Sequence, residues 1–369
     1  MKKIIILGST GNLGQKALNI LKKYKKEFKI IGLSAYQNEG LLKKQAKEFK
    51  VNNDSVILVK KDGEKKLINL VKTKEADVII NFLSGISGIL PTMLALKNKK
   101  IVILANKEAI VAKGYEMKKY LHQIIPVDSE HNAIFEILKT HPKGKIKNIY
   151  LPCSGGPLYE KTKKELSTVS LKQVLSHPKW KMGKKISVES ATLINKGFEI
   201  IEAHYLFNIP LKNIKVFLHK EAQIHGIVEF VDGKILAYIS EPNMAIHIEN
   251  AIRHVALNLL AVRSRRQRTV SGSTLGSVVL NLPACREAWF QNLRCKKNPH
   301  VKIYKKELSS LPKINNKNLK GIEIVLSVFK KDKKNMEKFL KKEEKIIQDF
   351  LDDKTTFAII RNLLAYRIR

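Results

Sequence analysis

The chain has 369 residues, of which 69 are Lys or Arg and 33 are Asp or Glu, a formal net charge of +36. With 44% hydrophobic and 28% charged residues it carries enough apolar material for two or three packed domains, which excludes a disordered or fibrous class. The lysines are strewn along the whole length rather than gathered into a stripe, so the charge reads first as solvated surface and only second as a nucleic-acid footprint.

Over the first 125 residues, β-branched runs at 3–7, 29–34, 55–59, 78–82 and 101–104 alternate with helical patterns from about 13, 41, 64 and 90. Strand–helix alternation predicts an α/β domain with a Rossmann-like parallel sheet. Directly after the first run stands Gly8-Ser9-Thr10-Gly11-Asn12-Leu13-Gly14, opening a helix. Glycines there let the backbone turn and approach a pyrophosphate, whose charge meets free N–H groups and the positive end of the helix dipole. The second strand ends at Ser34-Ala35-Tyr36-Gln37-Asn38, with no carboxylate before Glu39 to hold a ribose 2′-hydroxyl. That favours a 2′-phosphate, hence NADPH, with a lysine as its counter-ion.

From 126 to about 250 the pattern becomes that of an α+β domain, with helices near 132–139 and 198–206, strands at 215–218, 226–231 and 234–240, and a hairpin turn at Asp232-Gly233. Asp128 and Glu130 alternate about one position, which on an extended segment would place two hard oxygen ligands on one face for Mg²⁺ or Mn²⁺. By spacing alone they could equally cap a helix. Ser190, Asn195 and Lys196 offer two donors and a cation suited to a phosphate, or equally a helix-capping turn, with Glu199 beginning the next helix. Cys153-Ser154-Gly155-Gly156-Pro157 reads as a loop with exposed N–H groups, and His177-Pro178-Lys179-Trp180 as a local core or the cap of a lid.

The composition breaks at 251–296. Arginine first occurs at Arg253, recurs at Arg263, Arg265, Arg266, Arg268, Arg286 and Arg294, and lysine is absent from 235 to 295. This stretch reads as a linker of anomalous composition or a frame-shifted segment. A basic nucleic-acid contact through 253–268 is the lesser alternative. Residues 297–369 read as a helical region, with helices at 321–330, 335–352 and 356–368.

The cysteines, Cys153, Cys285 and Cys295, have no CxxC spacing and indicate neither a disulfide framework nor a zinc cluster, so a reducing cytoplasm is expected. The apolar run at the start stops at Gly8, too short for a signal peptide, and Asp77, Asn81 and Pro91 interrupt the stretch 76–96, so no membrane span is expected.

In order along the chain, GSTGNLG at 8–14, ANKE at 105–108, PVDSEHNAIFE at 126–136, SGGP at 154–157, HPKWKMGKKISVESATLINKGFEIIEAHYLF at 177–207, HGIVEFVDGK at 225–234 and PNM at 242–244 resemble the 1-deoxy-D-xylulose 5-phosphate reductoisomerase family. The likeness covers about residues 1–250. It implies an NADPH- and Mg²⁺- or Mn²⁺-dependent enzyme acting on a small phosphorylated sugar, assembled as a homodimer. Carried over, the metal ligands are Asp128, Glu130 and Glu199, which with Lys107 form the catalytic set. Ser129, Ser154, His177, Trp180, Ser190, Asn195 and Lys196 join Lys107, Glu130 and Glu199 at the substrate. Gly8, Thr10, Gly11, Asn12, Leu13, Gln37, Asn38, Asn106, Glu108, Gly183 and Met244 line the cofactor site. The chain departs from the family pattern in Pro152-Cys153 before Ser154, in Glu189 where the family has Asp, and in lacking the family's Asn-Ala-Ala-Asn-Glu segment. The alternatives are a divergent, inactive or nucleic-acid-binding homologue, or an NADP-dependent dehydrogenase of another phosphorylated substrate.

Overall fold

The computed structural model describes residues 1–73, 75–176, 183–269, 298–314 and 320–357. The chain forms two compact units, the first made of Met1–Asn106, Met117–Pro142 and Asn243–Lys297, the second of Lys107–Glu116, Lys143–Pro242 and Asn298–Arg369.

In the first unit, strands β1 (Lys2–Leu7), β2 (Phe28–Ala35), β3 (Val56–Leu58), β4 (Val78–Asn81), β5 (Ile101–Leu104) and β6 (Ile124–Pro126) form one sheet in the order β3-β2-β1-β4-β5-β6. Every pairing is parallel. Ile4 to Leu7, Val78 to Ile80 and Val102 to Leu104 are buried, the apolar runs expected of strands covered on both faces. Helices α1 (Asn12–Leu21), α2 (Glu39–Glu48), α3 (Val59–Lys72) and α4 (Ile89–Lys97) link the strands. The strand order reverses between β1 and β4, and such a switch point opens a ligand crevice at the carboxyl ends of the strands. Helix α5 (Lys107–Met117) follows β5, and α6 (Ser129–Thr140) follows β6.

The second unit is built on β7 (Ile146–Cys153), with the two short helices α7 (Lys163–Ser167) and α8 (Leu171–Leu175) after it, then α9 (Lys184–Ala191), α10 (Ile194–Leu206), β8 (Ile214–Leu218), β9 (Ile224–Phe230) and β10 (Ile235–Ile239). The β9–β10 hairpin turns at Asp232-Gly233 as expected, with Gly233 at φ +81°. After β10 the chain passes through α11 (Met244–Thr269), which belongs to the first unit, so residues 251–269 of the expected linker are helical. It returns to the second unit as β11 (Val301–Ile303), α12 (Gly321–Lys331) and α13 (Met336–Leu351). Strand β11 pairs antiparallel with β10 and completes a sheet in the order β11-β10-β9-β7-β8. The lysine-rich chain beyond the arginine segment is therefore integral to this unit. The helix expected at 356–368 lies almost wholly outside the described residues.

Helix α12 packs on α10 through two glycines. A Cβ at Gly197 would lie 2.8 Å from the Val325 Cβ, and one at Gly321 would lie 2.2 Å from the Thr192 carbonyl oxygen. Because the obstruction at Gly321 is backbone, Gly321→Ala must push α12 off the α9–α10 turn. We expect a loss of about 1–3 kcal/mol in unfolding free energy, measured by urea denaturation. An unchanged midpoint would contradict that packing.

Candidate active site

The Gly-rich loop lies between β1 and α1, pinned to the end of β2: the Gly8 and Ser9 amides donate to the Ser34 carbonyl at 3.0 and 2.8 Å. Ser9 Oγ donates to Gln45 Oε1, and Gln45 Nε2 returns a bond to the Ser9 carbonyl, tying the loop to α2. Gly8 has φ +79°, and a Cβ there would meet the Phe82 carbonyl oxygen at 2.9 Å. Gly11 is the N-cap of α1 without a side-chain hydrogen bond, and Gly11 and Asn12 are exposed, with Thr10 and Leu13 half-buried. The first turn of α1 thus meets solvent with no side chain capping its amides. That is the cradle a pyrophosphate needs. Gln37 and Asn38 are exposed beyond β2, where Asn38 caps α2. The Lys60 amide donates to the Tyr36 carbonyl at 2.9 Å, bringing an exposed lysine beside that turn.

Asn106 is buried and donates to the carbonyls of Leu83 and Gly85 at 3.1 and 2.7 Å, clamping the turn after β4 to the end of β5. Met244 is half-buried at the start of α11.

Asp128 and Glu130 do not lie on an extended segment. Asp128 is the N-cap of α6, its Oδ1 accepting from the Ser129 amide at 3.1 Å, and Glu130 stands in the first turn, its Oε2 accepting from Ser129 Oγ at 2.6 Å. Capping displaces the strand geometry because the carboxylate satisfies an amide that the helix leaves open. The turn is braced from below. Asn132 Nδ2 donates to the Pro126 carbonyl at 3.0 Å, while Asn132 Oδ1 faces Asn250 Nδ2 and His247 Nδ1, both at 3.1 Å. An amide oxygen only accepts, so His247 carries its proton on Nδ1. Nearby on α11, His254 is pushed down to about 3 by burial and by the charge of Lys139, so it is neutral.

In the second unit, α5 and α10 bring together four of the expected side chains. Lys107 Nζ donates to Asn195 Oδ1 at 2.7 Å and reaches Glu199 Oε1 at 3.4 Å. Asn195 Nδ2 donates to the same Glu199 oxygen, and Lys196 Nζ pairs with the other, Oε2. Lys107, Lys196 and Glu199 are each at most 5% exposed. Glu199 does not begin α10, which starts at Ile194 and presents Asn195 and Glu199 one turn apart on a single face. Two ammonium groups and one amide thus hold the Glu199 carboxylate in a buried place, with polar heads gathered where a ligand's oxygens could meet them.

Ser190, half-buried, stands in the last turn of α9, and the Ser154 loop comes up to it: a Cβ on Gly156, at φ +71°, would lie 2.9 Å from the Ser190 carbonyl oxygen. Ser154 lines a cleft of about 700 Å³ together with Lys161, Lys172 and Lys220. Gly183 caps the start of α9 and is exposed. His177 and Trp180 lie outside the described residues. Glu108 is buried against Lys185 of α9, Oε1 to Nζ 3.1 Å. Lys185 also pairs with Glu189, a spacing of four on one helix that sequence could have suggested; its further neighbour Glu343, on α13, is far away in sequence and gave no signal.

Similarity to known proteins falls on these same segments. The family model described as 1-deoxy-D-xylulose 5-phosphate reductoisomerase matches residues 4–62 and 53–114, and that of the same enzyme's C-terminal domain matches 124–207. The 1-deoxy-D-xylulose 5-phosphate reductoisomerase of Caldanaerobacter subterraneus subsp. tengcongensis is 42% identical over 276 residues, 69% of this chain and 71% of that one. The chain belongs to the 1-deoxy-D-xylulose 5-phosphate reductoisomerase family. A second reductoisomerase, from Sulfurihydrogenibium sp. strain YO3AOP1, is 44% identical over 264 residues, 68% of this chain and 69% of its own. Among solved structures, the reductoisomerase from Zymomonas mobilis in complex with NADPH aligns with TM-score 0.70 at 26% identity, covering 99% of this chain and 90% of that one. A reductoisomerase in complex with NADPH, fosmidomycin and magnesium aligns with TM-score 0.71 at 26% identity, over 99% and 88%. The fold expected from the strand–helix alternation and the change of pattern after it, a parallel Rossmann-like sheet followed by an α+β unit and helices, is the one observed. No helix among the described residues is long and apolar enough to cross a membrane.

Proposed function

We propose that this reductoisomerase converts 1-deoxy-D-xylulose 5-phosphate to 2-C-methyl-D-erythritol 4-phosphate, by skeletal rearrangement followed by reduction with NADPH. The observation that carries the reading is the buried Lys107–Asn195–Lys196–Glu199 group, which lies within the matched segments. A divalent ion would polarise the substrate carbonyl as a Lewis acid, and the nicotinamide would deliver hydride to the aldehyde that rearrangement produces. Asp128, Glu130 and Glu199 would hold the ion; as three carboxylates they are the hard oxygen donors Mg²⁺ or Mn²⁺ prefers. A nucleic-acid backbone would gain nothing from these carboxylates.

Each side chain has a task its setting supports. Ser129 Oγ and the α6 N-terminus orient Glu130 and Asp128 before any ligand arrives. Lys107, already charged and hydrogen-bonded, steadies oxygen charge that develops on the substrate and holds a proton within its reach. Ser154, Ser190, Asn195 and Lys196 bind the phosphate and hydroxyl groups, with His177 and Trp180 closing over them to exclude water. The first turn of α1 takes the NADPH pyrophosphate, Lys60 its 2′-phosphate, and Gln37, Asn38, Asn106, Glu108, Gly183 and Met244 border the cofactor. We propose a homodimer in the cytoplasm as the working form.

The test is NADPH oxidation by purified protein supplied with 1-deoxy-D-xylulose 5-phosphate, with and without Mn²⁺ or Mg²⁺. We expect turnover that requires the metal. A folded protein without metal-dependent turnover would overturn the assignment.

A further inference from the structure

Helix α13 brings one carboxylate into the heart of the second unit. Glu343 is 1% exposed, and neither of its side-chain oxygens receives a hydrogen bond from a donor among the described residues. The charged groups that face it are Lys185 and Glu189 of α9 and Glu108 of α5. Lys185 Nζ stands 3.6 Å from Glu343 Oε2, beyond hydrogen-bonding distance, because the ammonium is engaged by Glu108 at 3.1 Å and by Glu189. The group within hydrogen-bonding reach of Glu343 is the Glu189 carboxylate. Three buried carboxyl groups, Glu108, Glu189 and Glu343, share the Lys185 ammonium, which cannot offset three negative charges where water is excluded, so a proton between Glu343 and Glu189 removes the excess.

We propose that Glu343 is a neutral carboxylic acid that donates its proton to the Glu189 carboxylate, and that through Glu189 and Lys185 it positions the Lys107–Glu108 turn at the start of α5. The chain of contacts runs Glu343 to Glu189, Glu189 to Lys185, Lys185 to Glu108, and Glu108 is joined covalently to Lys107, whose ammonium bonds Asn195 and Glu199. Glu343 is thus a positioning residue supplied by α13, in the part of the chain where the family resemblance fades. Burial, then the Glu189 charge, push its carboxyl well above the usual range. For Lys185 burial works against the charge, but the neighbouring Glu189 and Glu108 carboxylates hold the ammonium above its ordinary value. With one lysine charged and Glu343 neutral, Glu189 keeps a donor of its own and does not draw Lys185 away from Glu108.

The positioning role rests on the assignment of Lys107 to the active site; the protonation state does not. Infrared spectra of the full chain should show a protonated-carboxyl carbonyl band at neutral pH that is missing from Glu343→Gln. Stability provides a second readout. Unfolded Glu343 releases its proton near pH ~4.3, whereas folded Glu343 keeps it, so above that pH the unfolded chain binds fewer protons and this residue's contribution falls as pH rises toward its folded pKa. The Tm of Glu343→Gln relative to the native chain should therefore climb with pH across the neutral range. In turnover, Glu343→Gln, which still donates to Glu189, should match the native rate, and Glu343→Leu, which cannot, should lose about tenfold in kcat with its fold retained by circular dichroism. A band that persists in Glu343→Gln, or a Tm gap that is flat or shrinks with pH, overturns the neutral acid. Native kcat in Glu343→Leu overturns the positioning role. Lys107→Met separates this from the site assignment: native turnover there would sink the role of Lys107 and leave the infrared result untouched.

Discussion

Glu199→Gln should cost at least about a hundredfold in metal-dependent turnover while leaving NADPH affinity unchanged, since residues that only orient metal ligands already cost ten- to a hundredfold. The reason lies in how fully the carboxylate is engaged. One oxygen accepts from Asn195 and Lys107, and the other pairs with Lys196. An amide can keep one of those oxygens but must turn its NH₂ toward donors on the other side. It also removes the negative charge on which two buried ammonium groups depend, and breaking a buried pair from one side costs roughly 3–5 kcal/mol where no water can compensate. Lost turnover alone would therefore not separate metal binding from misfolding. Thermal unfolding with and without Mn²⁺ does. A ligand that binds only the folded chain stabilises it by about 2.7 kcal/mol at a hundred times its Kd. The native protein should gain Tm with added metal and Glu199→Gln should not, whatever their starting values, and both should gain with NADPH. Unchanged turnover, or a metal response equal to the native one, would remove Glu199 from the ligand set.

What could be read in the sequence follows the range over which the physics acts. The parallel sheet was legible because Ile4 to Leu7, Val78 to Ile80 and Val102 to Leu104 are buried on both faces and so appear as unbroken β-branched or leucine runs. Strand β6 is three residues ending in Pro126, too short to show a period, and β7 mixes Lys147 and Asn148 with its apolar positions, so neither stood out. The hairpin was readable from Asp232-Gly233 because a positive φ is a local demand. Asp128 and Glu130 stand out as a pair whose backbone the sequence leaves open, since alternation along a strand and capping of a helix place carboxylates at the same spacing; the structure has the cap. Lys107 meeting Glu199 came from family resemblance; no local pattern joins residues 92 positions apart. Glu343 shows the limit. On α13 it is the first of two adjacent Glu in a lysine-rich run, and only the packing of α13 against α9 sets it apart from a solvated one.

Gly14→Ala should raise the KM for NADPH by at least about tenfold, with a smaller change in kcat at saturating cofactor, because the interaction removed is cofactor binding rather than a contact made only in the transition state. A Cβ at Gly14 would stand 2.3 Å from the Gly8 carbonyl oxygen and 2.6 Å from the Ser9 carbonyl carbon and Cα. All three are backbone atoms, so no side chain can swing aside; the loop itself has to open. Opening it strains the Gly8 and Ser9 amide bonds to Ser34 and the Ser9–Gln45 pair, and it tilts the uncapped first turn of α1 away from where a pyrophosphate would sit. Gly40, near the start of α2, is the matched control. A Cβ there meets nothing within 4 Å, so Gly40→Ala should leave the KM at its native value and gain about 0.4–1 kcal/mol of stability from a stiffer unfolded chain. The metal-induced rise in Tm should survive in both variants, since neither glycine is near a carboxylate assigned to the ion in sequence. Should Gly14→Ala bind NADPH as tightly as the native chain, the loop after β1 would not be the pyrophosphate site, and the cofactor assignment would fall with it.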